Sequence, residues 1–472
     1  MRVPLVQGGT ARYVNLDYAA SAPALTAVAE QVSEMLPLYA SVHRGAGYAS
    51  RACTAAYESA RREVAAFTGA REDDLVVIAR NTTDALNLLA AAVPGPVVHL
   101  DIEHHANLLP WQSRHRYVVP ARATLTDTMA AVEAELARSP AALLSVTGAS
   151  NVTGECLPLA ALAAMAHRHG ARIAVDGAQL VPHRRVDIAA TGIDYLAFSG
   201  HKMYAPFGAG ALIGRRDWLD AAPPYLAGGG AVRQVTIGGT SWTDGAARHE
   251  AGTPNVIGAV ALAAACRFAG SLPDDAVTAH ETALLTALHD GLAGAGARIY
   301  RIWPDSADRV PVVAFTVGGY PAALVAAYLS AEHGIGVRDG KFCAHPLLAR
   351  LGVPAGAVRA SLGLGSQRDD VDRLVSALLQ LRDAGPAWTY GEDYQPVPDP
   401  RPLPAWAGGA LLGAVAAPLP CGLSPLRSAT PRGLPGDAHH GAVLRLTHRQ
   451  RGWRLGLRLG LPRPGWPRPG RF

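Results

Sequence analysis

The sequence predicts an α/β protein in which a mostly parallel, doubly wound sheet is followed by a smaller α+β domain. The first observation is that short apolar runs of β type alternate with helical patterns from about residue 70 to 220. This alternation is typical of parallel sheets whose strands are connected by helices. The second is a change of pattern from about 265 to 385, where helical stretches surround two short strands.

In the first part, strands are predicted at Leu75–Ala79, Val97–Leu100, Leu143–Val146, Arg172–Val175 and Tyr195–Phe198. Helices are predicted at Thr83–Ala92 and at Leu157–His169, and the second ends before Gly170, a residue type that commonly follows helices. Ligands of doubly wound sheets lie beyond the carboxyl ends of the strands. The polar residues after each strand are therefore candidate functional residues.

The second part is predicted to contain strands at Val312–Phe315 and Gly336–Arg338 and helices at Ala322–Glu332 and near Val371–Leu381. We therefore expect an N-terminal segment (1–20) packing with the small domain, a large domain (21–265) and the small domain itself (266–385). Residues 386–472 form a Pro- and Arg-rich extension with fifteen of the 35 prolines. Its segment Pro396–Pro404 is expected to be extended, and disorder is expected after about residue 408. A short basic helix at Arg449–Leu461 is the less favoured alternative for its end.

The net charge of +5 is concentrated at one end of the chain. From Arg401 onward there are eleven arginines, no lysine and one acid, Asp437, so residues 1–400 sum to −5. Nucleic-acid binding is therefore not expected of residues 1–400. The five cysteines show no CxxC spacing, which argues against a disulfide framework or a zinc site and favours the cytoplasm. We expect no signal peptide at the N-terminus and no membrane span.

Two motifs at strand ends carry the strongest chemical signals. Lys202, in Ser-Gly-His-Lys, can be desolvated on a Gly-flanked turn, which lowers its pKa and favours Schiff-base formation. A surface lysine is the alternative, although the chain has only one other lysine, Lys341. Asp176, in Val-Asp-Gly-Ala-Gln, ends a hydrophobic strand, where its carboxylate needs a partner such as a protonated pyridine nitrogen. A helix N-cap is an equally good interpretation of this motif alone.

Three further motifs are weaker in isolation. Glu103-His-His-Ala-Asn follows a strand, so a histidine ring there could stack on a cofactor and exchange protons. If the two histidines lie on a strand, they point to opposite faces, and no third ligand has a suitable spacing, so a metal site is disfavoured. Asn81–Asp84 lies at a strand-to-helix junction that suits a phosphate or an ordinary N-cap equally well. Cys343 lies on a Gly-containing loop near Arg338 and Lys341, where its thiol could be activated, although a structural cysteine is favoured on this motif alone.

Taken together and in order, these motifs resemble the class V aminotransferase family, and within it the SufS-like branch of cysteine desulfurases and selenocysteine lyases. The resemblance extends from Leu16 to about Leu381. It is also carried by Leu16-Asp-Tyr-Ala-Ala-Ser-Ala, Val42-His-Arg-Gly, Ser150-Asn-Val-Thr-Gly, Gly228-Gly-Gly, Glu250-Ala-Gly-Thr-Pro-Asn and Arg359-Ala-Ser-Leu. It implies a pyridoxal-5′-phosphate (PLP) enzyme of transferase fold type I, with a mostly parallel sheet of the seven-stranded type, that forms a homodimer.

The resemblance also implies a role for each matching residue. Lys202 would hold the cofactor and move the substrate α-proton, His104 would stack on the cofactor ring, and Cys343 would accept the substrate sulfur. The other cofactor-binding residues would be Asp176 at the pyridine nitrogen, Gln179 and Asn151 at the phenolic oxygen, and Thr83, Ser199, His201 and the neighbouring subunit's Thr253 at the phosphate. Arg359 would bind the substrate carboxylate, with Arg338 and Asn151 close by. The implied reaction converts L-cysteine to alanine and a persulfide on Cys343, which could supply a sulfur-acceptor protein.

The loop around Cys343 departs from the SufS-like pattern. Lys341 and Phe342 precede the cysteine where histidines are common, and His345 follows where a hydrophobic residue is usual. Two alternatives therefore stay open. One is another class V PLP enzyme: a C–S lyase, an epimerase or an aminotransferase acting on an amino acid. The less favoured one is a non-catalytic binding protein whose working part is the basic tail.

Overall fold

The computed structural model describes residues 1–414; the rest of the extension, with the helix considered at Arg449–Leu461, lies outside the described residues. The strands, in chain order, are β1 (Arg2–Pro4), β2 (Thr10–Arg12), β3 (Val14–Asn15), β4 (Asp74–Ala79), β5 (Val97–Leu100), β6 (Arg116–Val119), β7 (Leu143–Thr147), β8 (Arg172–Asp176), β9 (Tyr195–Ser199), β10 (Gly210–Arg215), β11 (Val232–Thr236), β12 (Gly239–Trp242), β13 (Arg298–Ile299), β14 (Val312–Thr316), β15 (Ile335–Gly336), β16 (Arg338–Gly340) and β17 (Ala357–Ser361). The helices are α1 (Thr26–Met35), α2 (Tyr48–Phe67), α3 (Thr82–Ala92), α4 (His105–Leu108), α5 (Leu125–Arg138), α6 (Leu159–Arg168), α7 (Ile188–Thr191), α8 (Arg216–Ala221), α9 (Val256–Ser271), α10 (Asp274–Gly294), α11 (Ala322–His333), α12 (His345–Arg350) and α13 (Arg368–Ala384).

The central sheet has seven strands in the order β4-β10-β9-β8-β7-β5-β6. The pairs from β9 to β6 are parallel, whereas β10 runs antiparallel to both β4 and β9. Six strands therefore point the same way, and the predicted mostly parallel α/β sheet is confirmed. Their carboxyl ends meet at one edge, which is where ligands of such sheets bind.

The strands that the sequence predicted in this sheet are those with continuous apolar runs. Every residue of β5, β7 and β9 is buried, because helices cover both faces of the sheet. The predicted bounds agree with the observed ones within about two residues, as at Leu75–Ala79 against Asp74–Ala79. Strands β6 and β10 were not predicted.

A second, four-stranded sheet has the order β13-β14-β17-β16 with antiparallel pairs throughout, and α11 packs against β17. The single strand predicted at Gly336–Arg338 is wrong. The chain forms two short strands there, because β15 pairs in parallel with β3 whereas β16 pairs with β17. The chain thus changes partner at Val337.

Both ends of the described chain pack on this second sheet and its helices. Strand β3 adds to β15, and a bridge to Ser361 brings Asp17 beside the end of β17. Near the other end, the buried carboxylate of Glu332 in α11 accepts hydrogen bonds from the backbone N–H of Trp388 at 3.2 Å and from the Tyr390 hydroxyl at 2.9 Å. These contacts hold the start of the Pro-rich extension against α11.

One observation concerns membrane association. Within residues 1–414 no single helix is long and apolar enough to cross a bilayer, although α9 and α10, bent by 90° at a short break, would satisfy length and composition as a pair.

Candidate active site

One cavity of about 330 Å³ lies at the carboxyl edge of the central sheet. It is lined by eleven of the twelve predicted site residues: Thr83, His104, Asn151, Asp176, Gln179, Ser199, His201, Lys202, Arg338, Cys343 and Arg359. Thr253, which the resemblance assigns to a neighbouring subunit's phosphate, is exposed and does not line this cavity. Residues as far apart in the chain as Thr83 and Arg359 thus converge on one space.

Lys202 lies on a tight turn, Gly200–Lys202, directly after β9. The turn requires glycine at position 200, since a Cβ there would lie 2.8 Å from the carbonyl oxygen of Ala209. Burial lowers the pKa of Lys202 to about 8, and the charge of Asp176 opposes that shift while the charge of Arg359 adds to it. A lysine that can lose its proton near neutral pH is a competent amine nucleophile.

Asp176 ends β8 and is 3% exposed. Its Oδ1 accepts the N–H of Ala178 at 3.0 Å, and burial raises the pKa of the carboxyl group. Glu103 is fully buried nearby, and burial raises its pKa well above the usual range, with a further rise from the charge of Asp176. A buried carboxylate that faces a cavity is stabilised by a cation placed opposite it. A protonated ring nitrogen fits this position.

His104 and His105 do not lie on a strand, contrary to the geometry assumed from the sequence. His104 is the N-cap of the short helix α4, and its Nδ1 accepts the N–H of Ala106 at 3.0 Å. Burial lowers the pKa of His104 to about 3, so the ring is neutral at physiological pH with its proton on Nε2. Among residues 1–414, no three potential metal ligands come together.

Hydroxyl groups cluster where β4 and β9 end. The N–H of Thr82, the first residue of α3, donates to Ser199 Oγ at 2.8 Å, and the two hydroxyl oxygens lie 2.6 Å apart. His201 and Thr83 line the same cavity as Thr82 and Ser199. Hydroxyls at a helix N-terminus suit a phosphate. The Asn81–Asp84 motif includes the buried Thr82, but the resemblance assigned only Thr83 to the phosphate.

Arg359, in β17, presents a buried guanidinium to the cavity. Its Nη2 donates to Asp17 Oδ1 at 3.0 Å and its Nη1 to the carbonyl oxygen of Asn151 at 2.9 Å. Its buried Nε has no hydrogen-bond partner within the described chain. Three of the five guanidinium N–H groups are therefore not used by these two bonds, which leaves donors for a substrate carboxylate. Asp17 was not predicted as a site residue.

The Cys343 loop closes the cavity on the side of the second sheet. The carbonyl oxygen of Cys343 accepts the N–H of His105 at 2.9 Å. Cys343 lies close enough to Lys202 and Arg359 for a thiolate charge to raise the pKa of both. Lys341, in contrast, is not among the described residues that line the cavity.

The chemistry of these groups fits pyridoxal 5′-phosphate. They include a buried lysine of lowered pKa, a buried carboxylate able to face a ring nitrogen, and hydroxyls at a helix N-terminus for the phosphate. Together with the mostly parallel sheet beneath them, these groups are those expected of a PLP enzyme.

Comparison with known proteins identifies the family. The family model for class-V aminotransferases matches residues 14–374, so the chain belongs to the class-V aminotransferase family. Within that family it is 40% identical over 384 residues to a cysteine desulfurase of Dickeya dadantii, covering 78% of this chain and 91% of that relative. It is 37% identical over 385 residues to a probable cysteine desulfurase of Halobacterium salinarum, with the same two coverages, 78% and 91%.

Solved structures agree with this assignment. The apo cysteine desulfurase of Thermococcus onnurineus superimposes with a TM-score of 0.73 at 31% identity, over 78% of this chain and 94% of that one. The cysteine desulfurase CsdA (S-sulfonic acid) of Escherichia coli superimposes with a TM-score of 0.70 at 35% identity, over 78% and 95%. The chain is thus a PLP-dependent enzyme of the cysteine desulfurase type.

Proposed function

We propose that this enzyme converts L-cysteine to L-alanine and retains the sulfur as a persulfide on Cys343. The observation that carries the proposal is that Cys343 shares one cavity with Lys202 and Arg359. Lys202 can move a proton, Arg359 can hold a carboxylate and Cys343 can accept sulfur. The relatives named as cysteine desulfurases support the same reaction.

Arg359 orients the substrate. Its unused N–H groups, including the unpartnered Nε, bind the substrate carboxylate through charge-assisted hydrogen bonds. Asp17 holds the guanidinium from the opposite side through Nη2. With the carboxylate fixed, the amino group and the Cα hydrogen point towards the interior of the cavity, where Lys202 lies.

Lys202 moves the proton at Cα. When bound, pyridoxal phosphate supplies an electron sink at the substrate Cα. Because burial lowers the pKa of Lys202 to about 8, its Nζ can accept the Cα proton near neutral pH and return a proton later. Asp176, as a buried carboxylate at the end of β8, stabilises positive charge on the opposite side of the site.

Cys343 accepts the sulfur. Its thiolate forms a new S–S bond to the substrate sulfur while the substrate Cβ–S bond breaks, and the electron pair of that bond stays with the three-carbon fragment. A proton then completes the methyl group of alanine. The net reaction is L-cysteine plus the Cys343 thiol giving L-alanine plus the Cys343 persulfide, and it needs no external oxidant or reductant. A sulfur-acceptor protein would remove the terminal sulfur.

The test is alanine and persulfide formation from L-cysteine by the PLP-loaded enzyme. Cys343→Ser should abolish both products while the cofactor stays bound. The matched control is Cys53→Ser, since Cys53 Sγ makes two backbone hydrogen bonds of 3.1 Å that a hydroxyl can also make. Alanine formation that survives Cys343→Ser would overturn the persulfide proposal. Pyruvate and sulfide from both variants would instead identify a C–S lyase.

We also propose a homodimer that works in the cytoplasm. The exposed position of Thr253, outside its own cavity, is what a residue that completes the partner's phosphate site requires. Cys53, Cys156 and Cys266 are buried thiols, and burial raises the pKa of Cys156 to about 12, which suits inert residues of a reducing compartment. Equilibrium sedimentation tests the dimer, and loss of cofactor affinity in Thr253→Ala tests the shared site.

A further inference from the structure

Phe342 precedes Cys343 and takes part in a closed set of three contacts. Its ring centroid lies 5.1 Å from Cζ of Arg359. Arg359 Nη1 donates to the carbonyl oxygen of Asn151 at 2.9 Å, and Asn151 Nδ2 donates to the carbonyl oxygen of Phe342 at 2.8 Å. Each of the three residues thus contacts the other two. We call this set the Phe342 triangle.

The backbone at this point is strained. Phe342 and Cys343 have φ values of +52° and +53°, in the left-handed region that residues other than glycine rarely adopt. Such conformations persist only where surrounding contacts hold them. Two kinds of contact act here: the Phe342 triangle on one side, and the hydrogen bond from the His105 N–H to the Cys343 carbonyl oxygen on the other.

The ring also shapes the site of the substrate carboxylate. Phe342 is 5% exposed and lies over the guanidinium of Arg359. A cation over an aromatic face is attracted to the ring and partly shielded from water. A carboxylate binds the N–H groups at the edge of the planar guanidinium. Because the Phe342 ring covers only a face of the guanidinium, it does not block the Nε–H at the edge.

We propose that Phe342 is a positioning residue for sulfur transfer, one that holds the Cys343 loop against the arginine that binds the substrate carboxylate. This inference rests on the proposed function. The carboxylate and the attacking thiol are then located by the same set of contacts, so the distance between the thiol and the substrate sulfur depends on Phe342. Movement of the Cα proton depends on Lys202 and does not require the loop.

The two steps can be measured separately. Persulfide formation from L-cysteine in a single turnover reports the step at Cys343. Exchange of the α-hydrogen of L-alanine in deuterated water needs Lys202 and Arg359 but no thiol. Phe342→Leu keeps an apolar side chain and removes the aromatic face, and Phe342→Tyr is the matched control that keeps it.

In the PLP-loaded enzyme, Phe342→Leu should slow persulfide formation about tenfold, which is the size expected for loss of a desolvated cation–π contact. Exchange at saturating alanine should fall by a clearly smaller factor, because it uses no thiol, and Phe342→Tyr should restore persulfide formation. Equal loss of both activities, or no loss of either, would overturn the positioning role. An unsubstituted enzyme that exchanges the α-hydrogen yet forms no persulfide would instead overturn the proposed function.

A second readout does not depend on sulfur chemistry. If the Phe342 triangle restrains the loop, Cys343 in Phe342→Leu should react with iodoacetamide several-fold faster, followed by peptide mass spectrometry. The buried Cys266 serves as the internal reference for intact folding. An unchanged alkylation rate in Phe342→Leu would contradict the inference even if the enzyme turned out to be a C–S lyase.

Discussion

Glu281 in α10 anchors the segment that follows the Asp176 motif, and its removal should lower stability measurably. The carboxylate is 1% exposed, with Oε1 2.6 Å from His183 Nδ1 and Oε2 accepting from Arg184 Nη1 at 2.8 Å. Among the described residues, Glu281→Ala leaves Arg184 with one acidic partner, Asp308, which is 3.6 Å away and mostly exposed, and with its bonds to two backbone carbonyl oxygens. Breaking a buried ion pair costs about 3–5 kcal/mol, and we expect the lower end, about 3 kcal/mol, because solvent reaches part of Arg184.

The assay is thermal unfolding followed by circular dichroism. An unfolding entropy of about 2.1 cal/mol/K per residue over roughly 400 residues converts about 3 kcal/mol into a decrease in Tm of about 3–4 °C. Glu281→Gln keeps the shape of the side chain but loses its charge, so its Tm should lie between those of the unsubstituted protein and Glu281→Ala. The matched control is Glu133→Ala, whose surface pair with Arg168 is 2.7 Å long and should contribute less than about 1 °C. If Glu281→Ala and Glu133→Ala have the same Tm, the buried pair does not stabilise the fold as argued.

Three further predictions follow from local geometry. Gly200→Ala places a Cβ 2.8 Å from a carbonyl oxygen, so Lys202 should shift and the visible absorbance of bound cofactor should fall; normal absorbance would contradict the close approach. In cofactor-free protein, burial holds the pKa of Lys202 at about 8, below its unfolded value, so the folded state binds fewer protons between these values. The free energy of unfolding should therefore rise from pH 8 to about 10.5 by up to about 3 kcal/mol relative to Lys202→Met, and a pH-independent difference would refute the shift. Glu332→Ala removes the acceptor of Trp388 and Tyr390, so chymotrypsin should cleave at these residues sooner; an unchanged cleavage rate would argue against docking of the extension through this carboxylate.

The parallel core could be predicted because its signals are local. Strands β5, β7 and β9 are buried on both faces and therefore read as continuous apolar runs. A residue such as Asp176 or Lys202 stands out at the end of such a run, because a charge there needs a partner. The rule that ligands lie beyond the carboxyl ends of the strands then predicts that these residues lie together.

The missed features depend on contacts between distant parts of the chain. Asp17 bonds Arg359 across 342 residues, and Asn151 bonds the Phe342 carbonyl across 191. No local pattern encodes such pairs. In the sequence, Phe342 is only a departure from a family pattern, and such a departure does not show which residues Phe342 contacts. The domain boundaries at 265 and 385 and the individual residue roles stay predictions.

The charges around the cavity bear on how a cofactor and a substrate would bind there. Against the effect of burial, the charges of Asp176 and Asp17 raise the pKa of Lys202, whereas the charge of Arg359 lowers it. Burial raises the pKa of Glu103 well above the usual range. A positive charge on a ring nitrogen beside Asp176 would lower the raised pKa of this carboxyl group again. Arg359 keeps Asp17 as a partner but has N–H groups to spare, so a substrate carboxylate can bind without displacing it. In the proposed site, a cationic ring nitrogen and a substrate carboxylate would therefore each meet a group of opposite charge, which would offset the cost of burying them.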